Sequence, residues 1–197
     1  HYSQELRVYS WLLALSLLSA VVLLRALDGR LRWRWYALVA GVFVNMHYFA
    51  CFVLATHAVW VLLTDRRRST LLAWAAHAVA GCLMFAPWLM YAAPAMAAYR
   101  TAAATPLNPG EAIRRVGVAF SNGVVPPDAV PGLVTQVGVA AVLAGAVALA
   151  VQRRWQLLVM VALGIAAPVV GLYLVSFVKP TFNPRYVISA LPYVLLL

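Results

Sequence analysis

Long apolar runs separated by short polar turns dominate this chain. A helix needs about 20 apolar residues to cross the hydrocarbon core of a bilayer. Runs of that order occupy 10–27, 71–93, 133–151 and 155–178, and a further run begins at 186 and continues to 197. The pattern therefore predicts an all-α fold, a polytopic bundle of transmembrane helices.

The apolar run 35–63 is too long for one untilted helix and too short for two full ones. Arginine-rich turns flank it on both sides, at 25–34 and 64–70. The positive-inside rule places both turns in the cytoplasm, and a single crossing cannot begin and end on the same side. We therefore expect a hairpin of two short helices, at 36–46 and 49–63.

This hairpin brings the predicted count to about seven membrane helices in one transmembrane domain, 1–197. In the resulting topology the N-terminus, the hairpin tip near 45–48 and the turn 179–185 all face the outside. The longest polar segment, 94–132, becomes an outer loop that is rich in proline and glycine.

Within this outer loop, the stretch "GEAIRRVGVAF" has the pattern of a short surface helix. Ile113, Val116 and Phe120 follow helical spacing beside Arg114 and Arg115. The acid at position 111 falls in the first turn, where it suits the helix dipole. Two interpretations stay open, a plain connector and a lid or wall over a site on the outer face.

Composition supports a membrane protein. Apolar residues make up 65% of the 197 residues, charged residues 10%, and the mean hydropathy is +0.88. The net charge is +10, but the arginines lie between apolar runs and form no basic-aromatic module, so we expect lipid contacts and no nucleic acid. Cys51 and Cys82 lie within apolar runs and predict no metal site. Because the chain begins at His1 and ends inside an apolar run, we interpret it as an internal fragment.

The polar stretch "HYSQELRVYS" at the start of the chain contains the first candidate residues. Glu5 is either an acid that favours a helix N-terminus or a carboxylate at the lipid–water boundary that binds a divalent metal or acts as a base. Tyr9 follows four residues later and shares a helix face with Glu5. Arg7, between them, is a candidate substrate contact or an interfacial anchor.

Two further candidates lie at the predicted hairpin tip, and three lie before the last helix. At the tip, His47 is positioned to approach a phosphate and Tyr48 suits a membrane interface. His57 and His77 lie within apolar helices and are expected to be satisfied inside the bundle. In "KPTFNPRYVISALP", snorkelling to headgroups competes with phosphate binding, for which an arginine fork is suited. The candidates there are Lys179, Arg185 and Tyr186.

Three segments taken in order carry a family resemblance. "HYSQELRVYSWLLALSLLS", "NMHYFACFVL" and "NPRYVISALPYVLLL" resemble the GT-C glycosyltransferases, in particular the bacterial branch related to protein O-mannosyltransferases and the lipid A aminoarabinose transferase. The resemblance implies an enzyme that moves a sugar from a polyprenyl-phosphate donor to a protein, lipid or glycan acceptor. It also implies an integral protein of the bacterial inner membrane with its site on the extracytoplasmic side.

The resemblance assigns roles to individual residues. Glu5 matches the second acidic position, close to the acceptor and, in some members, to a divalent cation such as Mg or Mn. His47 and Arg185 match positions close to the lipid phosphate. The family has threonine before the tip histidine where this chain has Met46, and its first acidic motif would lie upstream of His1.

Two other functions stay open from the sequence. A transporter or lipid flippase would use broken helices and charged residues at mid-membrane depth. A non-catalytic scaffold would use every polar residue for topology and packing. The candidate polar residues concentrate at the outer edge, which favours the transferase.

Overall fold

The computed structural model describes residues 2–98, 107–122, 132–178 and 182–197. For residues 2–9, 96–97, 121–122, 178 and 185 it describes the backbone and not the side chains. Two compact units divide the chain, unit 1 (1–100) and unit 2 (101–197). All regular structure in the described residues is helical, which confirms the all-α prediction.

Unit 1 contains five helices. They are α1 (Tyr2–Leu27), α2 (Trp33–Met46), α3 (Ala50–Thr64), α4 (Arg68–Leu83) and α5 (Ala86–Ala98). The first helix begins eight residues before the apolar run that predicts it. Its N-terminal turns are polar, so a search for apolar residues does not include them. The next two are the pair of short helices that the arginine-rich turns predict.

The segment predicted as one helix at 71–93 is two helices, α4 and α5, bent by 50° at the break between them. Pro87 explains the break, because proline has no N–H to donate to the carbonyl four residues earlier and its ring clashes with that carbonyl. The affected carbonyl belongs to Leu83, the last residue of α4. The chain instead makes shorter-range bonds there, from the N–H of Met84 to the carbonyl of Gly81 and from the N–H of Phe85 to that of Cys82.

The pair α2 and α3 folds back on itself. Tyr36 Oη lies 3.1 Å from His57 Nδ1, although 21 residues separate the two in sequence. A continuous helix would separate them by about 31 Å along its axis. The fold-back places the beginning of α2 and the end of α3 at the same end of unit 1. Both arginine-rich turns therefore lie at that end, which we call the arginine end, opposite the tip at 47–49.

Helices α2 and α4 pack closely where two glycines meet. A Cβ atom added at Gly81 would lie 2.7 Å from the carbonyl oxygen of Ala37 and 3.1 Å from the backbone nitrogen of Gly41. Without side chains at Gly41 and Gly81, the two backbones come into direct contact. Small residues at such crossings are the usual way for membrane helices to associate.

Unit 2 begins, in its described part, with α6 (Pro109–Asn122), the surface helix expected in the outer loop. Its buried face differs from the predicted one: Ile113 is 67% exposed, whereas Ala112, Val116 and Val118 are buried. This helix packs against α7 (Leu133–Val151), a 3-10 helix (Pro184–Ala190) and α8 (Trp155–Val178).

The end of unit 2 differs from the membrane helix expected at 186–197. The 3-10 helix leads directly into a short α-helix, α9 (Leu191–Leu195), and both pack on α8 (Trp155–Val178). Pro192 accounts for the change, because it could not donate a helical hydrogen bond within a longer α-helix but fits the first turn of α9. Tyr193 is fully buried, and its ring lies against the backbone of Gly164.

Among the described residues, three helices are long and apolar enough to cross a membrane, at Ser10–Leu27, Leu133–Val151 and Trp155–Phe177. The bent pair α4–α5 raises the number to four if it forms one span. These candidates rest on length and composition. They indicate a membrane protein with three to four candidate spans, and the count of about seven stays a prediction.

Candidate functional site

The tip of unit 1 is a turn of three residues, His47, Tyr48 and Phe49, held by bonds to the backbone. His47 has an extended backbone, with φ −161° and ψ 124°. Its N–H donates to the carbonyl of Phe43 at 3.2 Å, and its own carbonyl accepts from the N–H of Ala50 at 2.8 Å. His47 therefore ends α2, and its carbonyl accepts the first bond of the turn that leads into α3.

The imidazole of His47 also takes part in the turn. The backbone N–H of Phe49 donates to His47 Nδ1 at 3.2 Å. Asparagine and aspartate side chains make the same kind of contact in turns, where they bond to the backbone two residues later. The ring is thus fixed to the start of α3.

Aromatic rings surround the imidazole. Tyr48 stacks on His47 with ring centroids 4.9 Å apart and an interplanar angle of 21°. Phe49 contacts both rings, at 5.2 Å from His47 and 4.5 Å from Tyr48. Burial lowers the pKa of His47, because the charged form would lose its hydration. At neutral pH the tip therefore carries an uncharged imidazole within an aromatic cluster.

Glu5, Arg7 and Tyr9 lie in the N-terminal part of α1, and their side chains lie outside the described residues. The 26 residues of α1 rise about 39 Å, and the 14 of α2 about 21 Å. By length alone, α1 is about 18 Å longer than α2, and Glu5 lies near the beginning of α1.

The candidates before the last helix lie in unit 2. Arg185 is the second residue of the 3-10 helix, and its side chain lies outside the described residues, as does the whole of Lys179. Tyr186 is half-buried, and its N–H donates to the carbonyl of Asn183 at 3.0 Å. Of the eight candidate side chains, the structure brings two together, His47 and Tyr48.

A buried polar network in unit 1 has no counterpart among the sequence candidates. Trp74 Nε1 donates to Tyr36 Oη at 3.3 Å, and Tyr36 Oη contacts His57 Nδ1 at 3.1 Å. The network joins α2, α3 and α4, and Tyr36 and His57 are fully buried. No local pattern indicates it, because Tyr36 and His57 become neighbours only through the fold-back. His77 bonds locally, with Nδ1 2.7 Å from the carbonyl oxygen of Ala73.

An ionic cluster on α6 also goes beyond the sequence prediction. Glu111 accepts from Arg114 Nε at 2.7 Å and from Arg115 Nε at 2.7 Å. These hydrogen bonds lower the pKa of Glu111 to about 2. The spacings of three and four residues could have predicted both pairs, since such residues are neighbours on a helix surface.

The described residues contain no group of three or more His, Cys, Asp or Glu side chains that could hold a metal ion. The divalent cation expected at Glu5 involves a side chain outside those residues and stays a prediction. Comparison of the chain with known protein families, with curated proteins and with solved structures finds no match.

Proposed function

We propose that the chain belongs to a membrane glycosyltransferase of the GT-C type, with about seven membrane helices. It would move a sugar from a polyprenyl-phosphate donor to a protein, lipid or glycan acceptor at the extracytoplasmic face of the bacterial inner membrane. The observation that carries the proposal is the tip of unit 1, where backbone bonds and aromatic rings fix His47 at the end opposite the arginines. A fixed hydrogen-bonding group at that end suits a lipid-linked phosphate.

The chemistry requires groups that stabilise the leaving phosphate and a group that activates the acceptor. In the proposal, His47 contacts the phosphate in unit 1, and Lys179 and Arg185 supply positive charge in unit 2. Glu5 acts as a base towards the acceptor hydroxyl or amine, or positions it. A divalent cation, if one is bound, would lower the pKa of that acceptor group. Arg7, Tyr9, Tyr48 and Tyr186 are proposed substrate contacts.

The test is release of sugar from radiolabelled polyprenyl-phosphate donors by the purified protein in lipid vesicles. We expect Glu5→Gln and Arg185→Ala each to abolish release while the amount of folded protein persists. Glu111→Gln and Arg154→Ala are matched controls, because they remove the same charges at positions with no proposed role, and both should release sugar normally. Normal release by Glu5→Gln and by Arg185→Ala would refute the proposal.

A transporter or lipid flippase is the second candidate. It is favoured by the 50° bend between α4 and α5 and by the short helices α2 and α3, because transporters build mid-membrane sites from broken helices. A fluorescent polyprenyl-phosphate sugar in one leaflet separates the two. Movement of the intact lipid between leaflets supports the flippase, and release of the sugar without such movement supports the transferase.

A further inference from the structure

Positive charge is concentrated at the arginine end of unit 1. The segments 25–34 and 64–70 contain seven arginines and two aspartates, an excess of five positive charges. The contact between Tyr36 and His57 brings the two segments to the same end of the unit, although about 30 residues separate them in sequence. Like charges gathered at one surface repel one another, and they attract anions from the surroundings.

The aspartates neutralise only two of these arginines. Arg67 Nη2 lies 2.6 Å from Asp65 Oδ2, and Arg30 Nε lies 3.9 Å from Asp28 Oδ2. The other five are exposed, and no carboxylate of the described residues lies within ion-pair distance of them. These five are Arg25, Arg32, Arg34, Arg66 and Arg68.

The helix dipoles add to the positive potential at this end. Helices α2 and α4 are parallel, because Trp74 bonds to Tyr36 towards the beginning of both helices and Gly81 meets Gly41 further along. Each helix has an arginine at the N-cap and another in the first turn, with no acid there and no side-chain cap bond. The N-terminal end of a helix favours anions, so these cations lie where the dipole disfavours them. A bound anion would remove this conflict.

Exposed apolar side chains border the arginines on the sides of the helices. Leu62 and Leu63 are exposed at the end of α3, and Trp35 is exposed in the first turn of α2. The guanidinium of Arg34 lies over the ring of Trp35, with Cζ 5.7 Å from the ring centroid, at the boundary between the charged and the apolar surface. A soluble phosphate would contact the arginines alone. A phospholipid offers a phosphate to the arginines and acyl chains to the apolar side chains.

We propose that the arginine end is a binding surface for the head groups of anionic phospholipids. Arginine suits this partner, because its planar guanidinium donates two parallel hydrogen bonds to phosphate oxygens. Both turns contribute, since the fold-back of α2 and α3 places them at one surface. This surface lies at the opposite end of unit 1 from the tip and takes no part in the proposed sugar transfer.

Electron spin resonance of lipids in vesicles tests the preference. The protein is placed in phosphatidylcholine vesicles with a trace of spin-labelled phosphatidylglycerol or of spin-labelled phosphatidylcholine, and the fraction of lipid immobilised by the protein is measured. We expect the association constant of phosphatidylglycerol to be about 5-fold greater or more, decreasing towards that of phosphatidylcholine as salt is added. Equal association of the two lipids at low salt would overturn the proposal.

Two double variants separate this surface from total charge. Arg32→Gln with Arg66→Gln removes one exposed arginine from each turn, and we expect it to abolish most of the preference for phosphatidylglycerol. Arg153→Gln with Arg154→Gln removes the same charge from unit 2 and should retain most of the preference. All four side chains are exposed, so both variants should keep the melting temperature of the unsubstituted protein. Equal losses of preference would show that net charge alone attracts the lipid, against the proposal.

Two further variants test whether the turns act together. Arg32→Gln with Arg34→Gln affects the first turn, and Arg66→Gln with Arg68→Gln affects the second. We expect each variant to lower the association constant of phosphatidylglycerol several-fold. An unchanged constant in either variant would contradict a surface shared by both turns.

Competition with inorganic phosphate distinguishes a lipid from a soluble anion. The apolar border of the surface favours the lipid, so phosphate should displace spin-labelled phosphatidylglycerol no better than chloride at the same ionic strength. Displacement by phosphate at concentrations where chloride has no effect would show a site for the free anion, against the proposal.

Discussion

The two ends of unit 1 reverse the chain by different physical means. At the arginine end the turns carry exposed charges, such as Arg67, which contacts Asp65 at 2.6 Å and has a side chain 73% exposed. At the tip, three residues reverse the chain without a charged group. There, the bonds of His47 to Phe43, Phe49 and Ala50 hold the turn.

The difference shows that the residues that stabilise the bundle and the residues that orient it in a membrane are different residues. Exposed ion pairs contribute little to folding, but clustered arginines favour one side of a membrane. Contacts between buried groups contribute more to folding, because they are shielded from water and directional. We therefore expect substitutions in the buried interior of unit 1 to have larger effects than substitutions at the arginine end.

The largest effect is expected at the crossing of α2 and α4, in the interior of unit 1. A Cβ atom in Gly81→Ala would lie 2.7 Å from the carbonyl oxygen of Ala37, so the two helices must move apart. We expect a loss of about 3 kcal/mol in the free energy of unfolding, measured by denaturant titration.

The control for this substitution is Gly117→Ala on α6. A Cβ atom added at Gly117 has no neighbour within 4 Å, and alanine favours a helix over glycine. This variant should therefore be as stable as the unsubstituted protein or slightly more so. Equal losses in the two variants would show that packing at the crossing is not the cause.

The next largest effect is expected in the buried network. Tyr36→Phe removes the hydroxyl that contacts His57 and accepts from Trp74, and leaves buried polar nitrogens behind. We expect a loss of about 2 kcal/mol in the free energy of unfolding. Thermal unfolding followed by near-ultraviolet circular dichroism measures it, and Tyr91→Phe is the control, since Tyr91 is 87% exposed. A loss of similar size in both variants would contradict the role of the network.

A smaller effect is expected at the arginine end, where a glycine is required for another reason. Gly29 has φ +71° and no neighbour within 4 Å of an added Cβ atom, so conformation alone restricts it. Gly29→Ala should cost about 1 kcal/mol in the free energy of unfolding, and Gly29→Asn less, because asparagine tolerates this region. Equal costs for alanine and asparagine would argue against a conformational cause.

The ion pairs of Glu111 with Arg114 and Arg115 in unit 2 test whether half-buried charges contribute to stability. The folded-state pKa of Glu111 is about 2, below its ordinary value of 4.5. Its contribution to stability is therefore fully present above pH 4.5 and disappears as the pH falls through about 2. The carboxyl ¹³C signal of Glu111, assigned with Glu111→Gln, should titrate with a midpoint of about 2. A midpoint at the ordinary value would show that the arginine contacts do not form.

The smallest effect is expected for the pair of Asp65 and the exposed Arg67 at the arginine end. Arg67 lowers the pKa of Asp65, but solvent surrounds Arg67. Asp65→Asn should leave the melting temperature within experimental error at physiological salt. A large loss would remove the contrast between the two ends.

The sequence predicts the helices that depend on local patterns. Apolar runs give α1, α7 and α8 to within a few residues, apart from the polar extension of α1. The two arginine-rich turns predict the division into α2 and α3, because charge restricts which ends can lie together. Helical spacing and a first-turn acid predict α6, although Ile113 lies on its exposed side.

Two differences from the predicted helices occur at prolines. Pro87 lies at the break that divides the segment 71–93, and Pro192 lies where a 3-10 helix and a short α-helix occupy the segment predicted as one helix. Both residues are visible in the sequence, and hydropathy alone does not register their effect on backbone hydrogen bonds.

The site was predictable only in part. Histidine at a turn indicates a candidate, but the bond to its ring depends on the backbone angles of His47 and the position of the Phe49 N–H. The contact between Tyr36 and His57 depends on the register of the hairpin, which no local pattern contains. The side chain of Glu5 lies outside the described residues, and its role stays a prediction.

The unequal lengths of α1 and α2 determine what the hairpin needs from its neighbours in a bilayer. Helix α1, at about 39 Å, is longer than the roughly 30 Å hydrocarbon thickness, whereas α2, at about 21 Å, is shorter. An isolated helix as short as α2 would thin the bilayer or draw its polar end groups into lipid. The hairpin of α2 and α3 therefore depends on longer neighbouring helices to keep the backbone groups of its tip away from the hydrocarbon.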